Sequence, residues 1–146
     1  MLTKLQKDGY NTFALDFEFK DKDEAIFKAN ENRQRIHEQF LAFFEHHDFL
    51  ICPTTQVLPF DVETDYVKSI NEQPMHNYLE WMSICCILSI MGFPIISMPC
   101  GFSEDGLPVG LQIVGKPKAD LEVLQMAYAF EQTTQISAKY QTYRPK

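Results

Sequence analysis

The stretch Gly92 to Gly115, GFPIISMPCGFSEDGLPVGLQIVG, decides how the rest of the chain is read. Two apolar runs, Ile95 to Met98 and Val109 to Val114, flank a polar turn, Ser103-Glu104-Asp105-Gly106. The Asp-Gly step in that turn suits the positive backbone angles of a tight loop. This pattern predicts a β-hairpin. Pro94 and Pro99 bracket its first strand, and a residue without a backbone N–H belongs at a strand end or on the free side of an edge. Five of the six glycines fall in this stretch, where backbone must turn sharply or pass close to another element.

Outward from the hairpin, the preceding segment is predicted to be a helix from Met75–Tyr78 to Met91, with Gly92 as its left-handed stop. Its residues Trp81 to Met91 are apolar on all sides, and such a helix must be covered on all sides. That requirement points to a partner segment beyond the few elements of this chain. Further upstream, Phe49 to Pro53 reads as a short buried strand, followed by the loop Thr54-Thr55-Gln56 and the apolar run Val57-Leu58-Pro59-Phe60. Asp61 to Pro74 reads as an irregular connection. Asp21 and Glu24 have the spacing of a capping box and open a helix whose face is Ile26, Ala29, Ile36, Phe40 and Phe43. After Gly115, Asp120 is a suitable N-cap for a helix to about Thr133, with Leu121, Leu124, Ala127, Tyr128 and Glu131 on or near one face and Val123 and Phe130 thickening the apolar stripe. The flanks 1–20 and 137–146 are expected to be loosely structured around a single segment spanning 1–146.

Composition limits the functions open to the chain. A formal charge of −7, and no arginine between Arg35 and Arg144, argue against a nucleic-acid surface, which needs clustered cations. The uncharged run Trp81 to Phe102 is long enough to suggest a membrane span, but Gly92, Pro94 and Pro99 break it into a helix and a strand. The four cysteines, Cys52, Cys85, Cys86 and Cys100, lie in apolar runs without Cys-x-x-Cys spacing, so buried free thiols and a reducing, cytoplasmic setting are expected. His46 and His47 are adjacent, and side chains roughly 100° apart around a helix do not converge on one ion. They read as a solvated helix end, and no metal or cofactor is expected.

The wording of the central stretch closely resembles the C-terminal part of the amidase signature family, which are serine amidohydrolases. The resemblance rests on Gly92-Phe93-Pro94, on Pro99-Cys100-Gly101-Phe102 and on the gapless run from Gly106-Leu107-Pro108 to Gly115. It also rests on Asp48 to Thr54 and on Tyr78-Leu79-Glu80-Trp81-Met82, and it covers about Asp23 to Thr134. It implies an α/β fold: part of the family's mixed β-sheet with helices packed on its faces. It further implies hydrolysis of amides by a serine nucleophile, a second serine in a cis peptide and a lysine, all from segments N-terminal to those matched here. This chain contains neither the lysine segment nor the Gly-Ser-rich segment. Ser97, in the predicted strand, lacks the glycines of a nucleophile elbow and reads as a strand hydroxyl bonded to a neighbour.

No catalytic residue is therefore assigned, and the chain alone is expected to be inactive. The candidate substrate contacts are Thr55 and Gln56, which with Thr54 can offer neutral hydrogen bonds to an amide or merely form a turn. Leu79, Met82 and Cys86 are candidates because they fall at helical steps of three and four, on a helix that in the family borders the substrate channel; Trp81 with Cys85 is the competing face. The implied partners are a small-molecule amide in the complete enzyme and a missing N-terminal amidase segment or partner chain, with self-association of the isolated chain and no nucleic acid or membrane. The alternative is a non-catalytic binding module on an amidase-like scaffold.

Overall fold

A computed structural model describes residues 22–142, and the chain divides into two compact units, Met1–Asn32 and Arg33–Lys146. Helix α1, Lys22–Phe44, opens with Asp23 and Glu24 in its first turn, where acidic groups complement the helix dipole. Glu24 pairs with Lys28 at 2.6 Å, an exposed i,i+4 contact that contributes little. Asp21, the expected capping residue, and the flank 1–20 lie outside the described residues. Ile26 and Ala29 are exposed in the first unit, so the expected apolar face is realised only from Ile36 onward.

In the second unit, strand β1 is Phe49–Pro53, and a small hairpin follows, β2 (Ser69–Ile70) with β3 (Gln73–Pro74). This hairpin lies in the span expected to be irregular; its turn residues Asn71 and Glu72 both have positive φ, 48° and 65°. A 3₁₀ turn, Glu80–Met82, precedes helix α2, Ser83–Ser89. The expected longer helix does not form. Asn77 Oδ1 accepts from Leu79 N, and Glu80 takes bonds from His76 N and Asn77 Nδ2, local side-chain contacts that compete with a helical start. Gly92 at φ 69° turns the chain as predicted, and Phe93 then inserts among α1 rings, 5.0 Å from His37 and 5.7 Å from Phe44. Burial of such a ring is worth about 2–3 kcal/mol.

Strands β4 (Ile95–Phe102) and β5 (Pro108–Gly115) form the predicted hairpin, and β1 pairs antiparallel with the other side of β5, giving the order β1-β5-β4. The first strand runs past Pro99 rather than ending there. A register shift between Pro99 and Gly101 leaves Cys100 as a bulge, and Pro99 sits on a strand at the end of the order, where a missing N–H is tolerated. Ile113 and Val114, both fully buried, point to opposite faces of the central strand. Val114 joins Phe44, Leu88, Met91 and Phe93 on one side; Ile113 joins Met98 and Ala127 on the other. Coverage of both faces explains why β5 reads as a continuous apolar run.

Helix α3, Asp120–Thr134, supplies the second cover through Val123 and Ala127. Both belong to the expected stripe, but its other members Leu121, Leu124 and Tyr128 are 65%, 57% and 66% exposed, so the buried face is rotated toward Val123. A Cβ on Gly115 would collide with Val123 Cγ2, so close approach of helix and strand at that glycine fixes the rotation. Asp120 is the first helical residue, after Ala119, which makes no side-chain cap bond. The helix closes on Gln135 at φ 51°, and the tail then carries a short helix α4, Ile136–Thr142, where a loose flank was expected.

Candidate functional site

A cavity of about 560 Å³ opens beyond the end of β1, beside the start of β5 and Ser97 of β4, lined by residues 53–60, Trp81, Ser97 and 108–110. Its size is that of a small-ligand pocket. The floor is the loop leaving β1, which is anchored at several points. Thr54 N donates to Gly110 O at 3.1 Å, and Cys85 Sγ donates to Thr54 O at 2.8 Å. Gln112, only 7% exposed, donates from Nε2 to Pro53 O at 3.0 Å. A buried amide on the central strand thereby fixes the loop that carries the polar residues. Gly110 permits this approach, since a Cβ there would lie 2.8 Å from Thr54 Oγ1.

Thr54 Oγ1 and Ser97 Oγ are 3.1 Å apart, so the strand hydroxyl is bonded to a neighbour as its sequence context suggested. Thr55 Oγ1 donates to Val57 O at 2.8 Å, a turn-forming contact. Gln56 Oε1 accepts from Ser83 Oγ at 2.7 Å and from Ile84 N at 3.1 Å, so it caps helix α2 across the chain. The apolar wall continues into a row of rings: Phe60 meets Trp81 edge-on at 5.4 Å, and Trp81 meets Tyr78 at 5.6 Å. Trp81 Nε1 is buried without a hydrogen-bond partner among the described residues. No lining residue carries a charge.

Thr55 and Gln56 thus lie in the cavity wall with Thr54, whereas Leu79, Met82 and Cys86 are not among its lining residues. Trp81 occupies that side of the cavity. Sequence reading assigned no site role to Phe60 or Gly110; the signal for Phe60 was the run Thr54 to Phe60 directly after a strand, which is where α/β folds place clefts. The described serines near the cavity have structural partners: Ser83 bonds Gln56, and Ser97 bonds Thr54. Lys68 lies over the Tyr66 ring and Lys116 pairs with Asp48, so neither stands beside those hydroxyls as a base. All four cysteines are free and half-buried rather than fully buried. Burial raises the Cys52 thiol above its ordinary value, and the neighbouring Cys85 adds to this; burial, then Cys86, raises Cys85 against an opposing backbone hydrogen bond. Both are therefore protonated and weakly nucleophilic at neutral pH. His46 and His47 are exposed, with His47 stacked on Phe43 at 4.1 Å. Among the described residues no group of three His, Cys, Asp or Glu is placed to hold a metal, and no helix is long and apolar enough to cross a membrane.

The family model described as Amidase matches residues 11–124. The chain is 41% identical over 107 residues to the A subunit of glutamyl-tRNA(Gln) amidotransferase from Thermodesulfovibrio yellowstonii, covering 73% of this chain and 21% of that protein. It is 38% identical over 136 residues to the protein of the same name from Moorella thermoacetica, covering 92% of this chain and 25% of that one. It therefore spans a fifth to a quarter of the length of these relatives. Among solved structures, a bacterial aryl acylamidase of the amidase signature enzymes superposes with a TM-score of 0.79 at 24% identity, over 99% of this chain and 33% of that chain. At that identity the likeness establishes the fold.

Proposed function

This chain belongs to the amidase signature family, and on that premise we propose that it serves as the C-terminal part of an amide hydrolase, supplying sheet and substrate-pocket wall while the Ser-Ser-Lys machinery comes from elsewhere. The observation that carries this reading is the anchored, charge-free cavity beyond the end of β1, with Thr55 and Gln56 in its wall and no serine-lysine pair beside it among the described residues. Backbone carbonyls and hydroxyls on a rigid floor suit the positioning of a neutral amide, and positioning is what a wall without a nucleophile contributes. The remaining partner is the family's N-terminal segment. Its docking would cover apolar side chains such as Ile87 and Ile90, which are 42% and 48% exposed. Four free thiols fit a reducing, cytoplasmic location.

The test is a replacement. Residues 23–134 of this chain are exchanged for the matching segment of the complete Thermodesulfovibrio yellowstonii relative, and hydrolysis of small amides is followed. Retained turnover is the expected result. A folded, monodisperse chimera that binds amides but turns over none would favour the non-catalytic binding module.

A further inference from the structure

We infer that Cys52 and Cys85 form a redox switch: a small disulfide of the glutathione type closes them into a Cys52–Cys85 disulfide, and closure releases the cavity loop that the reduced Cys85 thiol holds. This stands on the placement of the thiols and is independent of what the cavity binds. Cys52 and Leu50, two residues apart on β1, share the strand face that packs on the cluster of Leu88 and Val114. Helix α2 covers that face with Ile84 and Leu88. Cys85 follows Ile84 and lies three positions before Leu88, so it belongs to the same side of the helix. Its Sγ reaches Thr54 O at 2.8 Å, two residues beyond Cys52, and Cys85 is the thiol whose charge acts on Cys52. Geometry disfavours the other pairings. Cys85 and Cys86 are successive helical residues, whose side chains diverge by about 100°. Cys100 lies on β4, which β5 separates from β1. Two strand spacings amount to about 10 Å, beyond the roughly 7 Å that a disulfide spans between Cα atoms.

Exchange proceeds in two steps. One protein thiol gives up its proton and attacks a sulfur of the small disulfide, forming a mixed disulfide and expelling a small thiolate, which takes up a proton. The other protein thiol attacks the protein sulfur of that bond and expels the second small thiol in the same way. Two protein thiols thereby lose two electrons and two protons, and the small disulfide is reduced to two thiols. The effect on the cavity follows from the lost hydrogen. Cys85 Sγ now donates to Thr54 O, and a disulfide sulfur has no hydrogen to donate. Among the described residues Thr54 O then keeps the longer bond from Gln112 Nε2, at 3.4 Å. Thr54, Thr55 and Gln56 all line the cavity, so release of that carbonyl is felt in its wall.

The purified 146-residue chain is incubated with oxidised glutathione, in excess because both thiols are protonated at neutral pH, and is then alkylated in denaturant. Four thiols are alkylated before oxidation, and two are expected afterwards in the monomer band of a non-reducing gel, with no glutathione in the protein mass. Trypsin cleavage at Arg35, Lys68 and Lys118 isolates Cys52 on residues 36–68 and the other three cysteines on residues 69–118, so the expected product joins these two peptides. Fragmentation of that product locates the bond on the unsubstituted chain, whether or not a variant folds. Cys52→Ser and Cys85→Ser should each abolish the link, and Cys86→Ser and Cys100→Ser should leave it. Trp81, the sole tryptophan, lines the cavity with the loop, and its emission should change on oxidation and return with dithiothreitol. Cys85→Ala, which lacks the donor, should show the oxidised emission without oxidant, while Cys52→Ser keeps the reduced one. Four thiols still free after oxidation, glutathione retained on Cys52 or Cys85, a bond to Cys86 or Cys100, or a Cys52–Cys85 link with unchanged Trp81 emission would each overturn the switch.

Discussion

At Gly115, where strand β5 passes helix α3, an added methyl group would collide with Val123 Cγ2, while its other neighbours, Ala119 O at 3.5 Å and Pro94 Cγ at 3.6 Å, lie at ordinary contact distance. Gly115→Ala should therefore cost about 1–3 kcal/mol through overpacking. Val123, 3% exposed, should also be costly to truncate, at about 1–3 kcal/mol. The double variant should be less destabilised than the sum, because each change removes the other's difficulty. Denaturant melts of the four proteins check this, and strict additivity would show that the collision is relieved elsewhere. The thiols give a second prediction at this scale. Folding raises Cys52 and Cys85, so above their ordinary value of 9.0 the folded state retains protons that the unfolded state has released. Their contribution is complete below that pH and is lost as pH rises through the raised values. Alkylation of these two thiols should accordingly lag behind that of a free-thiol peptide between about pH 8 and about 9.5, with the difference abolished in denaturant. That glycines marked close approaches was legible in the sequence; which atoms they approach was not, because Thr54 and Val123 become neighbours of Gly110 and Gly115 only after the sheet and helix are assembled.

Elements show the same division between local and assembled information. The hairpin of β4 and β5 could be read directly, since its turn residues and apolar runs are adjacent in sequence. The start of α2 could not. Its donors are satisfied by Gln56, 27 positions before Ser83, and no local pattern announces a cap supplied from another loop. Replacement of Gln56 by Leu should cost about 1 kcal/mol of stability, typical of a lost helix cap. Glutamate, which retains an acceptor oxygen, should recover most of it, as read by thermal melts monitored in the far ultraviolet. Equal losses for both variants would place the side chain's contribution in packing. The rotation of α3 was illegible for a similar reason: within one apolar stripe Ala127 meets the helical spacing with Leu121, Leu124 and Tyr128 on one side and with Val123 on the other, and the close approach at Gly115 favours the Val123 side. In the candidate site, Thr55 and Gln56 could be found from their place after a strand. Trp81, and not Leu79, Met82 or Cys86, lines this cavity; Glu80–Met82 forms a 3₁₀ turn, so steps of three and four counted from Leu79 through that turn to Cys86 do not follow one α-helical face.

At the scale of the molecule, the sheet of the described residues ends in β1 on one side and β4 on the other, and among those residues apolar side chains on α2 and α3 face solvent. Unpaired strand edges and exposed Leu, Ile and Tyr are templates for association. The isolated chain should self-associate and take up an apolar dye in dilute solution; a sharp, dye-negative monomer by light scattering would show that these surfaces are closed. The same surfaces bear on the proposal that catalysis is completed by another amidase segment. The most direct measurement is amide hydrolysis by the purified chain, alone and mixed with the separately produced N-terminal part of a complete relative. The account predicts background rates for either part alone and turnover in the mixture, accompanied by loss of dye binding. Turnover by the chain alone that survives active-site titration controls, or a stable complex of the two parts with no turnover of any amide, would contradict it.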